Sequence, residues 1–381
     1  MKRRVSPDRA GSRRGFALII VMTVIFVLAI LAGGFAYSMK VESRLAAHAH
    51  NESELEWMGR SGVELAKYVL DQSARLGARY TSLNQIWAGG PGDGPETNSP
   101  LAGINLRAWP LGEGMISVEI VDLERKLNLN RIASLLPAQG GGQDLLTRAL
   151  ALMGVDAAEA ATIVDSIQDW RDPDDASRLS GAESDFYLSL DPPYYAKNGA
   201  IDDLGELLLV HGVTPEIYWG PRAAAHRFQW ADTARGRRPR GLAGGLAPSY
   251  PFGLVDLFTP LSSGAVNINT APLPVLQVAL GISDDLAANI IRARAGLDGV
   301  EGTEDDTPFL SANLAAVPGL EALPPELRAP LTTVSSHFEV TVNVQLGRSH
   351  RQCRALLARN VPGIAALAGE GGVRVLQFSW K

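Results

Sequence analysis

RRGFALIIVMTVIFVLAILAGGFAYSMKVESRLAAHAHNESELEWMGRSGVELAKYVL, residues 13–70, is the stretch whose reading decides the fold. It carries no charge from Phe16 to Tyr37. At about 1.5 Å of rise per residue, a helix of that length crosses a hydrocarbon core of about 30 Å. Lys2, Arg3, Arg4, Arg9, Arg13 and Arg14 precede it against one acid, Asp8. A basic flank stays on the cytoplasmic side and sends the bulk of the chain outward. A cleaved secretory signal is the alternative, but its apolar region runs to only about 7–15 residues. Here the run is longer, and a helical stripe of Val41, Leu45, Leu55, Met58, Val63, Leu65 and Val69 continues past it. The pattern predicts one helix of about 55 residues, half in lipid and half outside.

The whole chain of 381 residues has room for two or three domains. With 46% apolar and 20% charged residues it can build packed cores. A net charge of -6 argues against a general nucleic-acid binder. The single cysteine, Cys353, excludes an internal disulfide, and the six scattered histidines offer no zinc cluster. No Ser/His/Asp or Cys/His constellation and no phosphate-cradling glycine loop is present, so an enzyme is not expected.

Beyond the long helix, a loop full of chain breakers, GGPGDGPETNSP, occupies 89–100. MISVEIVD, 115–122, alternates like a half-buried strand, and HFEVTVNVQL (337–346), HRQCRALLARN (350–360) and VRVLQFSW (373–380) return to the same pattern near the end. Between them lie helical runs at 144–170, 201–220, 272–296 and 310–331, with a basic, Gly-rich loop at 229–250. LMGVDAAEAATIVDSI (152–167) and ALGISDDLAANIIRAR (279–294) both read as turn, acid-capped helix and apolar stripe, an internal duplication. The fold class expected is α+β: a long N-terminal helix on a small antiparallel sheet that pairs 115–122 with strands beyond 335, and a large all-α domain inserted between them. Its boundaries fall at 38–127 for the first part of the α/β domain, 128–330 for the insertion and 331–381 for the closing strands.

Two acidic loops are candidate sites. Asp169, Asp172, Asp174, Asp175, Glu183 and Asp185 lie on one loop with Pro173 and Gly181. Calcium takes about six to eight oxygen ligands, which a flexible acidic loop can supply, although the spacing is not that of an EF-hand. The plain alternative is a solvated loop that caps helices. Asp298, Glu301, Glu304, Asp305 and Asp306 form the second loop, a weaker cation candidate. Asn267, Asn269 and Thr270, before Pro272, read as a turn and helix cap.

Arg13-Arg14-Gly15-Phe16-Ala17-Leu18 resembles a type IV prepilin leader, which implies residues 1–15 as leader, cleavage between Gly15 and Phe16, and methylation of the mature end. The membrane part of the mature helix is then 16–37. Most such proteins carry glutamate at the fifth mature position, and here that position is Ile20. A glutamate there pairs with a neighbouring subunit's N-terminal amine, so its absence suits a filament-end subunit.

VDLERKLNLN (121–130), DWRDPDDASRLSGAESDFY (169–187) with HGVTPEIY (211–218), and VNINTAPLPVLQVALGIS (266–283) with PFLSANLAAVPGL (308–320) together resemble the minor pseudopilins of the K type in type II secretion systems, the GspK family. The resemblance covers nearly the whole chain. It implies a pilin-like fold with an inserted α-domain, bound calcium, and a single pass through the inner membrane with the C-terminal domain periplasmic. It also implies a place at the pseudopilus tip with minor pseudopilins I and J, above the major pseudopilin, after processing by the prepilin peptidase. Two other readings stay open. The helix-hairpin-helix-like repeats could serve a membrane-tethered DNA-uptake protein, but Asp284 and Asp285 would repel phosphate. A type IV pilus minor pilin would lack the insertion.

Overall fold

The computed structural model describes residues 13–75, 79–92, 100–131, 142–223, 250–321, 323–360 and 372–380. Residues 1–12 of the expected leader, the basic part of the 229–250 loop and most of the breaker-rich 89–100 loop lie outside these residues.

Helix α1 runs unbroken from Arg13 to Arg75, 63 residues and about 95 Å of rise. Its two halves differ. Phe16–Ser43 is long and apolar enough to cross a membrane, and none of it is buried in the protein. From Leu55 to Leu70 the stripe Leu55, Met58, Val63, Ala66, Val69 and Leu70 is buried against a sheet. Glycines permit the close approach: a Cβ on Gly62 would stand 2.5 Å from Val342 Cγ1, and one on Gly59 would stand 2.3 Å from the Trp380 ring.

The sheet contains β1 (Trp109–Leu111) and β2 (Gly114–Asp122) and closes with three late strands. Two short strand pairs in between, β3 (Leu127–Asn128) with β4 (Phe258–Thr259) and β5 (Val266–Asn267) with β6 (Leu331–Thr332), are parallel. The late strands are β7 (His337–Leu346), β8 (Ser349–Arg359) and β9 (Val373–Trp380). The order is β1-β2-β7-β8-β9, all antiparallel. β2 lies beside β7 from Met115↔Gln345 to Asp122↔Phe338, the long-range pairing that the two alternating stretches predict. Alternation sends Ile116, Val118 and Ile120 toward α1 with Phe338, Val340, Val342 and Val344 beside them. Trp87, from the loop after α1, closes the layer edge-to-face on Phe338 at 5.4 Å. We call α1 and this sheet the shaft.

Between β2 and β7 the chain builds a second body, the head. Among the described residues its α-helices are α2 (Gly142–Met153), α3 (Ala157–Asp169), α4 (Ser184–Leu188), α5 (Pro215–Trp219), α6 (Leu254–Leu257), α7 (Leu273–Leu280), α8 (Asp284–Arg294) and α9 (Pro325–Arg328). The pairs α2–α3 and α7–α8 share one device: a glycine in the left-handed region, Gly154 at φ 84 and Gly281 at φ 65, ends the first helix and lets the second fold back. Asp156 caps α3 by accepting from Ala158 N at 2.9 Å. The expected helix at 310–331 is a correction. The chain there is turns, with only Pro325–Arg328 helical, because Pro318, Pro324, Pro325 and Pro330 remove amide donors every few residues.

Candidate metal centre

Helix α3 ends on Asp169, and the chain turns back through Arg178 and Gly181 to start α4 at Ser184. Two carboxylates tie this loop down. Asp165 Oδ2 accepts from Ser180 N at 3.0 Å, and the fully buried Asp169 accepts from Arg178 N at 3.1 Å and from Arg178 Nη1 at 2.6 Å. The same guanidinium also donates to Asp172. Gly181 is required by contact rather than by φ: a Cβ there would fall 1.9 Å from Asp169 Oδ2.

The fold brings Asp172, Asp174 and Glu183 together, each with a carboxylate oxygen within 4.8 Å of the others. Glu183 is 1% exposed, and neither of its oxygens has a hydrogen-bond donor. Asp172 Oδ1 is likewise buried and unpartnered. Burial first, then the charges of Asp169, Asp172, Asp175 and Asp174, push the Glu183 carboxyl up from 4.5 to about 7. A buried carboxylate without a donor is costly unless a proton or a cation joins it. The donors are oxygens only, which suits a hard cation such as calcium and not zinc.

Asp175 stands beside the trio, accepting from Asn198 Nδ2 at 3.0 Å and Ser184 Oγ at 3.3 Å. Asp185 is exposed in the first turn of α4 and is not one of the converging carboxylates. Asn198 was not among the residues singled out from sequence. It sits at φ 48 with a buried, unpartnered Oδ1, and the Asn-Gly pair at 198–199 is the turn signal that points to it. Below the loop, Trp170 packs edge-to-face on Tyr187 at 5.2 Å, Tyr187 stacks on Tyr194, and Tyr187 Oη accepts from His211 N at 3.1 Å.

The second acidic loop is folded around its own carboxylates. Asp305 Oδ2 accepts from Leu297 N at 2.7 Å and Asp298 N at 3.0 Å, Asp306 Oδ2 accepts from Gly302 N at 2.8 Å, and Asp298 Oδ1 accepts from Val300 N at 2.7 Å. Glu301 pairs with the buried Arg294 at 2.6 Å, and Arg294 donates to the carbonyls of Ile268 and Ala271. Asn267 and Thr270 are buried inside the molecule, and Pro272, not an Asn or Thr side chain, occupies the cap position of α7. Asp284 and Asp285 are exposed at the start of α8, a charge that repels nucleic-acid phosphate.

Comparison with known proteins fits this geometry. Residues 125–220, which include the acidic loop and α3, match the family described as type II secretion system (T2SS), protein K. A type II secretion system protein K of Aeromonas hydrophila is 26% identical over 91% of this chain and 92% of its own length. One of Pseudomonas aeruginosa is 24% identical over 95% of each chain. The crystal structure of the GspK-GspI-GspJ complex from the enterotoxigenic Escherichia coli type 2 secretion system contains a chain of the same fold, with TM-score 0.58 and 19% identity over 88% of this chain and 99% of that one.

Proposed function

From a chain that is kin to type II secretion system protein K along nearly its whole length, we propose a minor pseudopilin at the tip of the periplasmic pseudopilus. The observation that carries this reading is the division of α1. One helix leaves Phe16–Ser43 bare and buries Leu55–Leu70 under a sheet, and the head interrupts that sheet between β2 and β7. A bare apolar helix needs lipid or other helices around it. In the membrane it is an anchor. In an assembly it packs beside the helices of minor pseudopilins I and J, and the head stands where a further subunit would be added.

The basic flank before Phe16 holds the N-terminus in the cytoplasm and puts the head in the periplasm. Prepilin peptidase removes residues 1–15, and Phe16 becomes the methylated mature end. Ile20, in place of glutamate, leaves the helix without a charge for a neighbour's amine, as suits the last subunit above the major pseudopilin. Such a tip starts the pseudopilus and supports export of folded proteins across the outer membrane.

Calcium is the cation best suited to Asp172, Asp174 and Glu183, with Asp169, Asp175 and Asn198 around them. It competes with the proton that Glu183 holds below about pH 7 and fixes the loop between α3 and α4. The loop of Asp298, Glu301, Asp305 and Asp306 is a second, weaker candidate, since its carboxylates already accept from its own amides. The test is co-purification of the full chain, in detergent, with minor pseudopilins I and J, in calcium and in chelator. Capture of both partners in calcium is expected, and failure to capture either would defeat the reading.

A further inference from the structure

The molecule has two apolar cores that share no residue. The head's core is drawn from Leu127 to Leu331, and the shaft's from Leu55–Ile120 and Phe338–Leu357. Where the two bodies meet, a cluster of polar groups is buried. Asp122, the last residue of β2, is 1% exposed. Its Oδ2 accepts from Ser335 Oγ at 2.6 Å, from Thr270 Oγ1 and from Asn267 Nδ2, and its Oδ1 accepts from Glu124 N at 2.8 Å. Asn267 Nδ2 also reaches Ser335 Oγ at 2.7 Å and the Thr81 carbonyl at 3.0 Å. Arg359, at the end of β8, donates to Thr81 Oγ1 and the Ser335 carbonyl. Asn267 and Thr270 belong to the head; Asp122, Thr81 and Arg359 belong to the shaft.

Backbone bonds cross the same seam: Asn267 N to Glu124 O at 2.8 Å and Thr81 N to Thr333 O at 2.7 Å. An apolar contact tolerates sliding, because dispersion and burial are non-directional. Hydrogen bonds to one buried carboxylate hold in a single geometry and leave unpaired buried groups in any other.

We infer that this cluster around Asp122 is a latch: it sets the angle of the head on the shaft and is the seam at which the two bodies separate. The inference rests on the fold and not on the secretion reading, so the two can fail independently. It gives the head one orientation relative to α1, and it makes that orientation depend on a few polar side chains set between the two cores.

The experiment uses the full chain in detergent, spin-labelled at Ser61→Cys on α1 and Ala315→Cys on the head. Both sites are exposed, and the native Cys353 is buried. The unaltered seam is expected to give one narrow distance distribution. Asn267→Ala, and separately Thr270→Val, should broaden it several-fold. They should also speed hydrogen exchange at the Thr81 and Asn267 amides by about tenfold or more, while amides near Ile163 and Val340 stay protected. Should Asn267→Ala fail to fold, the milder Thr270→Val carries the test. A distribution that stays narrow in the folded variants, or loss of protection in both cores together, would overturn the latch.

Discussion

At the scale of single residues, the carboxyl of Glu183 decides what the acidic loop does. Its pKa stands at about 7 against an ordinary 4.5, from burial first and then from Asp169, Asp172, Asp175 and Asp174, with Arg178 as the facing cation. A raised value means the folded protein binds this proton more tightly than the unfolded chain does. That contribution to stability is therefore full below pH 4.5 and is lost as pH rises to about 7. Calcium must displace the same proton. Isothermal titration should show affinity climbing between pH 6 and 7, by up to about tenfold, and levelling off above pH 8. Glu183→Gln should abolish most of the calcium-induced rise in Tm while leaving the cation-free protein folded. Gly181→Ala touches no ligand, yet its methyl meets Asp169 Oδ2, so it should loosen the loop and weaken calcium binding as well. Equal calcium shifts in all three proteins would show that the trio binds nothing.

At the scale of elements, α1 and the sheet are held by shape. Gly62→Val places a side chain against Val342 and should destabilise the shaft by about 1–3 kcal/mol in denaturant titration. In the head, Ile163 is fully buried on α3, and Ile163→Ala should destabilise by about 3 kcal/mol without moving the shaft's transition. These elements were the legible part of the sequence. An uninterrupted apolar run followed by a helical stripe permits few readings, and neither do strands that alternate as strictly as 115–122 and 337–346. The acidic loop was legible in composition but not in selection. Which of its six carboxylates converge depends on the reversal at Gly181 and on Arg178 pairing with Asp169 and Asp172, and neither shows in the loop's composition. Asn198 joined them from 23 residues beyond Asp175. Residues 310–331 misled because their apolar spacing suits a helix, while their prolines forbid one. Asn267 does form the expected turn, accepting from Asn269 N at 2.9 Å, but the cap reading of Asn267 and Thr270 misled: a polar pair before a proline looks like a cap, and only the fold reveals Asp122 beside it.

At the scale of the whole molecule, the parts suit the proposed role of a subunit that sits at an end. The bare half of α1 offers a rod to lipid or to sister helices, the packed half fixes that rod to a sheet, and the head rises from the sheet between β2 and β7. On that reading the lateral surface is on α1, and the bulk that blocks addition is in the head. Such a subunit joins others but does not stack on itself. The most direct test is native mass spectrometry of the full chain in detergent with minor pseudopilins I and J. The account predicts a complex with one copy of each protein, whose mass does not grow when more of this chain is added. A ladder of complexes containing two, three or more copies of this chain would contradict it.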